Sequence, residues 1–409
     1  MEANLSHATS EAAPLPMRCM KSRLEDDTIA AFINVFAVAM IGLCALGVGG
    51  NLLSIYVFSR PQMAKSSINV LLAFMSVVDL VICAIAGLTF PLRDDRLFPF
   101  VYLSCHVTSF QNAMNAWGIP SLYFLQTVSI WLLIAITIER YMAVCHPITA
   151  RLYDSTTKAK VACLVIAILA LLYNLPRYWD DEAVFGPFEI CSGKTGEPKQ
   201  RCDGPLMMMT NRLRLGPDAE DYNFYYGLVL RAVTQFFVPV VMMVILYGAV
   251  IRTIRRAQKQ RRDMMSRREQ SQHRVAYMLI TVTVVFIVAY WLLFTIDVVD
   301  YGKVHKWLRL DSLVGGEDNF QNLFLAATWL SNVSVTTNSA VNAIIYFYFS
   351  ERYRAIAVAI CRRGDAAKDL LTTRPSRTSG AAVEDDDDSS VGVPLRSLEL
   401  GRPRRASVM

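Results

Sequence analysis

A chain of 409 residues in which 54% are hydrophobic and 19% are charged does not have the composition of a soluble domain of that length. These proportions are typical of a membrane protein with several spans. The formal net charge is +6. As a membrane protein, the chain is expected to have membrane lipid, and no nucleic acid, among its partners.

Seven uncharged or nearly uncharged runs follow one another along the chain, and about 20 apolar residues suffice for a helix to cross a bilayer. They lie at residues 31–58, 68–90, 119–138, 161–176, 225–251, 275–296 and 323–349. We therefore predict an all-α fold, a bundle of seven transmembrane helices over residues 31–349. Residues 1–30 would form an extracellular amino-terminal segment, residues 350–364 a short amphipathic helix on the inner membrane surface, and residues 365–409 a disordered cytoplasmic tail.

The distribution of Lys and Arg decides the orientation of the bundle, because an odd number of spans places the two termini on opposite sides. These residues are densest at 252–274, between the fifth and sixth spans, which predicts that this loop is cytoplasmic and that the amino terminus is extracellular. The flanks of the first span do not add to this bias. Residues 1–28 lack the apolar core of a cleavable signal peptide, so the first span is expected to act as the targeting signal.

One carboxylate, Asp79, lies in the middle of the second span. A charge at this depth costs about 2.5 kcal/mol or more unless it is satisfied, so an acid there is by default a functional residue. The alternative is a protonated or hydrogen-bonded acid that only holds helices together.

The third span ends in a charged cluster, Glu139-Arg140-Tyr141, at the boundary between apolar helix and water. An isolated pair of this kind can also extend to lipid headgroups. The cluster here closes the third of seven spans and is followed by His146-Pro147, and this combination resembles the rhodopsin-like family of G-protein-coupled receptors. The resemblance implies that the third helix is the central helix of the bundle. It also implies that Glu139 holds Arg140 at rest and that Arg140 then meets a heterotrimeric G protein.

The resemblance extends to further positions. Tyr247 and Tyr346 match family positions at the G-protein end, together with Glu139, Arg140 and Tyr141. The acid of the second helix binds a sodium ion in this family, and the matching side chains are those of Asp79, Ser129, Asn338, Ser339 and Asn342. Hard cations prefer oxygen ligands, which this set supplies. An allosteric sodium ion is the only cofactor that the resemblance implies.

Three helices combine family features with departures from the family pattern. Pro239 matches the proline of the fifth helix, which removes a backbone hydrogen bond and lets that helix bulge toward the ligand. Tyr290 stands where the sixth helix normally has a tryptophan switch, and the usual proline of that helix is absent. Asn342 is followed by Ala343 rather than by proline. The activation switch is therefore expected to differ in detail from that of rhodopsin.

The nine cysteines divide by location. Four of them, Cys19, Cys105, Cys191 and Cys202, are predicted to face an oxidising compartment and allow three full pairings. The family position for the cysteine of helix three is Asn115 here, ten residues after Cys105. A longer approach to the helix would still bring Cys105 to the long loop, where the sequence leaves its partner open. We predict a bond to Cys191, whose position suits the first strand of a loop hairpin. Cys361 is placed to carry a palmitoyl chain, and Asn4 lies in a glycosylation sequon.

Four short stretches bear on the ligand: QTVSIW at 126–131, LYNLPR at 172–177, TNRLR at 210–214 and NSAVN at 338–342. They resemble the invertebrate FMRFamide-like neuropeptide receptors, with a likeness that covers about residues 40–360. Cationic-amine receptors of the wider family have an aspartate where this chain has Leu122, which disfavours an amine ligand. The resemblance implies a neuropeptide ligand with an amidated carboxyl end.

The ligand is expected to contact one set of residues: Leu122, Gln126, Arg231, Tyr290, Phe294, Asp297 and Asp300. Asp297 and Asp300 stand three residues apart and therefore share a helix face. An unpaired Arg231 within the membrane would be costly, so either it pairs with Asp297 or it serves the ligand. Asp300, at the mouth, would accept the arginine of an Arg-Phe-amide peptide, with Phe294 and Tyr290 as aromatic neighbours lower down.

The tail after Gly364 contains candidate sites for receptor kinases and arrestin at Thr372, Thr373, Ser376, Thr378 and Ser379, with a solvated linker as the alternative. Its last residues, 404–409, resemble both a basic-directed kinase site and a PDZ ligand.

Two other classes of membrane protein, transporters and enzymes, have sequence features of their own. A transporter would be expected to show internal repeats or interrupted helices, and an enzyme a paired catalytic motif such as His-Glu-x-x-His; we find none of these. The sequence therefore predicts a plasma-membrane neuropeptide receptor and no enzyme, the alternatives being a transporter or a receptor for another class of peptide.

Overall fold

The computed structural model describes residues 19–20, 27–91, 110, 114–153, 155–179, 182–184, 188–191, 198–202, 208–210, 221–260, 267–304 and 316–361. Helices dominate these residues, as the uncharged runs predict. They are α1 (Asp27–Phe58), α2 (Ser67–Thr89), α3 (Ile119–Cys145), α4 (Thr156–Asn174), α5 (Val238–Gln260), α6 (Arg267–Val304), α7 (Glu317–Ala340), α8 (Asn342–Phe349) and α9 (Glu351–Cys361). The predicted all-α fold is confirmed, and α9 is the short helix expected after the seventh span.

Shorter helical segments adjoin the long ones. They are a π-helical turn, Met114–Gly118, before α3; a short helix, Pro147–Tyr153, after α3; a 3₁₀ turn, Leu175–Tyr178, after α4; and two π-helical segments, Tyr222–Leu230 and Val233–Phe237, before α5. The bulge predicted for the fifth span is thus present, directly before Pro239. A proline cannot donate a backbone hydrogen bond, which favours a local widening of the preceding turn.

The described residues also include five short strands outside the helices: β1 (Cys19–Met20), β2 (Glu182–Val184), β3 (Phe188–Cys191), β4 (Pro198–Cys202) and β5 (Met208–Thr210). β3 pairs antiparallel with β4 and parallel with β1, while β2 pairs antiparallel with β5. The predicted hairpin with Cys191 in its first strand is therefore present. Because β2–β5 connect the fourth span to the fifth, they mark one end of the bundle, which we call the strand end.

The bundle is arranged around α3, which contacts α2, α4, α5 and α6. α1 packs against α2 and α7, and α6 packs against α7 and α8. The buried core follows α2 and α3 and includes Met75, Ile82, Leu132, Leu133 and Ile136, each no more than 2% exposed. The central position that the sequence analysis expected for the third helix is confirmed.

Large apolar side chains cover much of the outside of the bundle, as on α4, where Val161, Leu164 and Ile168 are about half exposed or more. An apolar surface of this extent requires an apolar surrounding. Within the part of the chain that the structure describes, six helical segments are long and apolar enough to cross a membrane: Asn34–Phe58, Ser67–Thr89, Ala116–Cys145, Thr156–Tyr178, Tyr222–Arg256 and Arg274–Gly302. The chain is thus a multi-pass membrane protein.

The seventh predicted span, 323–349, is built from α7 and α8, which meet at Val341. It does not reach the apolar composition of the other six, because α7 contains many Asn, Ser and Thr residues. Several of these polar side chains, such as Ser331, Thr336 and Asn338, are buried in the bundle and are not exposed on its outside. The inward polarity of this helix therefore explains its weak apolar signal.

A close approach of α1 to its neighbours depends on Gly47. A Cβ atom at this position would overlap Cys83 Sγ of α2 and would lie 3.1 Å from the Cβ of Ala340 in α7. Small residues at such crossings let membrane helices pack through their backbones.

Gly47→Leu is expected to lower the thermal unfolding midpoint of the purified protein, because overpacking of this kind costs about 1–3 kcal/mol. Gly49→Leu is the matched control on the same helix, since nothing lies within 4 Å of a Cβ atom there. Equal midpoints for the two variants would contradict the packing of α1 described above.

Candidate functional site

A cavity of about 470 Å³ opens among the helices at the strand end. Its wall is formed by α2, α3, the turn after α4, the fifth span, α6 and α7. Five of the residues predicted to contact a ligand line it: Leu122, Gln126, Arg231, Asp297 and Asp300. The volume lies within the range of small-molecule and cofactor pockets, about 300–1,000 Å³. The cavity is thus a candidate binding site, and its lining combines apolar, amide and charged side chains.

Arg231 and Asp297 form an ion pair inside this cavity. Arg231 Nη1 lies 2.9 Å from Asp297 Oδ2 and donates a hydrogen bond of 3.0 Å to Asp297 Oδ1. The Arg231 guanidinium also lies 4.7 Å from the centre of the Tyr123 ring. Of the two alternatives for Arg231, the structure shows the pairing with Asp297. The acid lowers the cost of burying this guanidinium, since an unpaired cation inside the membrane is expensive.

Asp300 lies one helical turn from Asp297, and it is exposed at the edge of the cavity. The structure does not bring the two predicted aromatic neighbours, Phe294 and Tyr290, to the cavity wall. Phe294 stacks on Phe236 of the fifth span at 5.3 Å between ring centres, and Tyr290 packs on Phe286 at 4.6 Å. The π-helical segment before α5 contributes Phe236 and its neighbour Phe237, and these rings occupy the space beside Phe294.

Arg177 also lines the cavity, although the sequence analysis did not assign it to the ligand. It lies in the 3₁₀ turn after α4, is 5% exposed, and places its guanidinium 4.4 Å from the ring centre of Tyr123 and 5.1 Å from that of Tyr226. Its sequence signals are its place at the end of the LYNLPR stretch and a cation directly after an apolar span. That pattern is equally typical of an arginine that extends to lipid headgroups.

A buried polar network lies beneath the cavity, and it was not predicted from the sequence. Asn174 Nδ2 and Gln235 Nε2 donate hydrogen bonds to Thr127 Oγ1 at 3.0 and 2.9 Å, so one hydroxyl joins α4, the fifth span and α3. Nearby, Trp131 Nε1 donates to the backbone carbonyl of Thr234 at 3.4 Å. These contacts fix the three elements that carry Arg177, Arg231 and Leu122 relative to one another.

Asp79 is fully buried at the centre of the bundle. Ser129 Oγ donates to its Oδ1 at 3.3 Å, and Asn342 Nδ2 donates to its Oδ2 at 2.7 Å. The side chain of Ser339 lies near the same carboxylate, and Asn338 is buried on the same helix. Most of the predicted sodium set is therefore brought together, from α2, α3, α7 and α8.

The donors of this cluster fit a hard cation. The amide oxygens of Asn338 and Asn342 are buried, and within the described residues they have no hydrogen-bond partner. Oxygens of carboxylate, hydroxyl and amide groups are the ligands that such cations take. The same cluster also connects to α1, since Asn51 Nδ2 donates to the carbonyl oxygen of Ser339 at 3.0 Å.

The charged cluster of α3 lies at the end of the bundle opposite the strand end. Arg140 Nε lies 3.3 Å from Glu139 Oε2, and Ser67 Oγ donates to Glu139 Oε1 at 2.9 Å. Tyr247 accepts a hydrogen bond of 3.0 Å from Thr137, one turn before Arg140. The pairing of Glu139 with Arg140 expected from the sequence is thus observed. Tyr141 instead contacts His146, with 3.2 Å between Tyr141 Oη and His146 Nε2.

Tyr346 is also buried at this end, where it joins α8 to α1 and α9. Its ring centre lies 5.4 Å from that of Phe58 and 5.9 Å from that of Tyr353. Tyr353 Oη lies 2.8 Å from Ser54 Oγ of α1, and Arg274 of α6 forms an exposed ion pair with Glu351 of α9. The four segments α1, α6, α8 and α9 are therefore linked beside Arg140.

Some predicted sites cannot be placed. Asn4 and Cys105 lie outside the described residues. Cys191 is placed in β3 and Cys361 at the end of α9, but only their backbone positions are described. The disulfide between Cys105 and Cys191, the glycan and the palmitoyl chain stay predictions.

Comparison with known proteins agrees with this geometry. Residues 50–346 match the family described as 7 transmembrane receptor (rhodopsin family), and the chain therefore belongs to this family. Proteins of this family are membrane receptors and not enzymes.

Individual relatives narrow the comparison further. The FMRFamide receptor of Drosophila melanogaster is 28% identical over 345 residues, which cover 82% of this chain and 55% of that receptor. The FMRFamide peptide receptor frpr-18 of Caenorhabditis elegans is 31% identical over 341 residues, with coverages of 82% and 71%. The growth hormone secretagogue receptor type 1 of Sus scrofa is 24% identical over 346 residues. The chain thus spans little more than half the length of the Drosophila relative.

The ion pair between Arg231 and Asp297 in the cavity is expected to contribute to the stability of the receptor. Asp297→Leu alone should lower the thermal unfolding midpoint of the ligand-free receptor strongly, because removing one member of a buried pair costs about 3–5 kcal/mol. The double variant Arg231→Met with Asp297→Leu should recover most of that loss, since no unpaired charge is left. If the single and double variants have the same midpoint, the pair is not the buried contact described here.

Proposed function

We propose that this chain is a plasma-membrane receptor for an FMRFamide-like amidated neuropeptide and that it transmits binding to a heterotrimeric G protein. The observation that carries the proposal is the position of the charged cavity, which opens at one end of the bundle while Glu139 and Arg140 lie at the other. The strand end would be extracellular and the Arg140 end cytoplasmic. The two relatives with printed FMRFamide names support the peptide class.

The cavity suits a peptide better than an amine. Leu122, at the position of the amine counter-ion, is 4% exposed and lines the cavity with Gln126. Asp297 is half-buried and paired with Arg231, and Asp300 is exposed at the cavity edge. We therefore assign the arginine of an Arg-Phe-amide peptide to Asp300. Tyr290 and Phe294 would act beneath the ligand through their packing rather than by contact.

The Asp79 cluster stands between the two ends and would couple them. Sodium would be held by Asp79 and Ser129 with oxygens of Asn338, Ser339 and Asn342, and its charge would offset that of the buried carboxylate. These side chains come from α2, α3, α7 and α8, so any shift of α7 at the cavity changes the geometry around Asp79.

At the cytoplasmic end, Arg140 would meet the G protein once it leaves Glu139, with Tyr141, Tyr247 and Tyr346 around it. Receptor kinases and arrestin would act on the tail after Gly364. A disulfide between Cys105 and Cys191, a glycan on Asn4 and a palmitoyl chain on Cys361 complete the proposal. They fit a chain whose amino terminus is outside the cell.

Cells expressing this chain should respond to a member of a library of amidated neuropeptides, with calcium and cyclic AMP as readouts. Peptides that end in Arg-Phe-amide are expected among the active members. Activation only by peptides without this ending would favour a receptor for another peptide class, for which the growth hormone secretagogue receptor type 1 is the relative reported above.

Arg140→Ala should abolish nucleotide exchange stimulated by Phe-Met-Arg-Phe-amide, because the cation that meets the G protein is lost. Surface labelling should show the variant at wild-type abundance. Lys160→Ala, an exposed cation at the same end, is the control and should signal normally. Full signalling by Arg140→Ala would contradict the receptor mechanism.

Asp300→Ala should weaken binding of Phe-Met-Arg-Phe-amide far more than binding of the analogue with norleucine in place of arginine. Truncating one partner of a hydrogen-bonded charged pair costs about 2–5 kcal/mol where the pair is buried. Asp221→Ala, an exposed acid at the same end that does not line the cavity, is the matched control. Equal losses for the two peptides would show that Asp300 does not bind the ligand's arginine.

A further inference from the structure

Arg177 is a buried cation in the cavity that the proposed function leaves without a role. Its residue exposure is 5%, and it lines the cavity from the turn that ends the fourth span. Within the described part of the chain, its Nε and Nη2 atoms are buried and have no hydrogen-bond partner. A guanidinium held in this way costs stability, and such a cost is typical of a binding group that awaits its partner.

The surroundings of Arg177 leave one edge of the guanidinium for a ligand. The rings of Tyr123 and Tyr226 lie 4.4 and 5.1 Å from Arg177 Cζ, and these contacts favour the cation without providing a hydrogen-bond acceptor. Nε and Nη2 form one edge of the planar group, and their N–H bonds point in parallel. This edge is the fork that binds two oxygen atoms in its plane.

Among the described residues, no carboxylate is hydrogen-bonded to the Nε–Nη2 edge of Arg177. Both carboxylate oxygens of Asp297 contact Arg231 Nη1, Oδ2 at 2.9 Å and Oδ1 at 3.0 Å. Asp300 is exposed at the cavity edge. Arg231 Nη2 is a further buried donor that has no partner among the described residues. Among the described residues, the interior of the cavity therefore presents two guanidinium groups, Arg177 and Arg231, against the single carboxylate of Asp297, and more donors than acceptors.

We propose that Arg177 binds a carboxylate of the peptide through both of these nitrogens. A carboxylate offers two oxygens in one plane and a compensating charge, whereas an amide or backbone carbonyl offers a single neutral oxygen. The inference deepens the proposed function. The receptor binds an acidic group of the peptide at Arg177 and the arginine of the peptide at Asp300. It therefore selects peptides that carry both groups.

The peptides used as probes distinguish two sources of the carboxylate, an acidic side chain and a free carboxyl terminus. The first arm consists of six-residue peptides that end in Met-Arg-Phe-amide, with Glu placed at each of the three preceding positions in turn and Gln in each matched partner. The second arm compares Phe-Met-Arg-Phe-amide with its free acid. Affinities are measured by competition on the wild-type receptor, on Arg177→Gln and on Arg177→Lys, which keeps the charge but not the fork.

The matched control is Arg60→Gln. Arg60 is also an arginine stacked on a tyrosine, 3.6 Å from the ring centre of Tyr56, but it lies just after α1, at the Arg140 end. A third arm does not depend on the peptide class. It measures the thermal unfolding midpoint of the purified receptor in N-acetyl-glutamate against N-acetyl-glutamine, at matched ionic strength.

At one position or more, the wild-type receptor and Arg60→Gln should prefer Glu to Gln by at least about tenfold, the factor that 1.4 kcal/mol provides. Arg177→Gln should lose that preference, and Arg177→Lys should keep only part of it. A preference for the free acid over the amide that Arg177→Gln loses would support Arg177 as the carboxylate site and contradict an amidated ligand.

Other outcomes also decide the inference. If none of these peptides binds, the Arg-Phe-amide assignment fails, and the third arm decides: stabilisation by N-acetyl-glutamate that Arg177→Gln loses supports the carboxylate site. The absence of any carboxylate preference in all three arms overturns it. A preference that survives in Arg177→Gln overturns it as well.

Discussion

The buried carboxylate of Asp79 is the constraint to which much of the bundle conforms. Asp79 is 0% exposed, so its two oxygens need donors from other helices, and they find them in Ser129 of α3 and Asn342 of α8. Satisfying one side chain therefore fixes the positions of three helices. The polar composition of α7 and α8 follows, because the helices that face this carboxylate and the cavity need polar side chains on the inside of a membrane protein.

The second organising feature is that polar contacts are concentrated in three layers along α3. Arg177, Arg231 and Asp297 lie in the cavity layer, Asp79 lies in the middle layer, and Glu139 with Arg140 lies at the opposite end. Apolar packing around Leu132, Leu133 and Phe286 surrounds these layers. In such an interior each polar layer has few alternative pairings, so a change in one of them must be met by movement of a helix.

The sequence was sufficient to predict the helices and the contacts that a short motif or the resemblance to a family implies. The spans, the central third helix, the contacts of Asp79 and the pair Glu139–Arg140 were all expected, because each depends on hydropathy or on a short motif. Arg177 was missed, since a cation after a span has the same pattern whether it turns outward or inward.

The bonds of Thr127 to Asn174 and Gln235 were also missed, because they depend on how helices cross. The position of Phe294 away from the cavity has another cause. The fifth span contains π-helical turns, and these change which side chains of that span face α6. A regular helical periodicity read from the sequence cannot show that change.

α6 extends without interruption over 38 residues, from Arg267 to Val304, and is about 57 Å long at about 1.5 Å per residue. The proline that is usual in the sixth helix is absent from it, so this helix lacks that built-in hinge. A continuous rod that tilts about its middle moves its two ends in opposite directions. Drawing Asp300 inward over a bound molecule would therefore be the same motion as swinging Arg274 away from Glu351 at the far end.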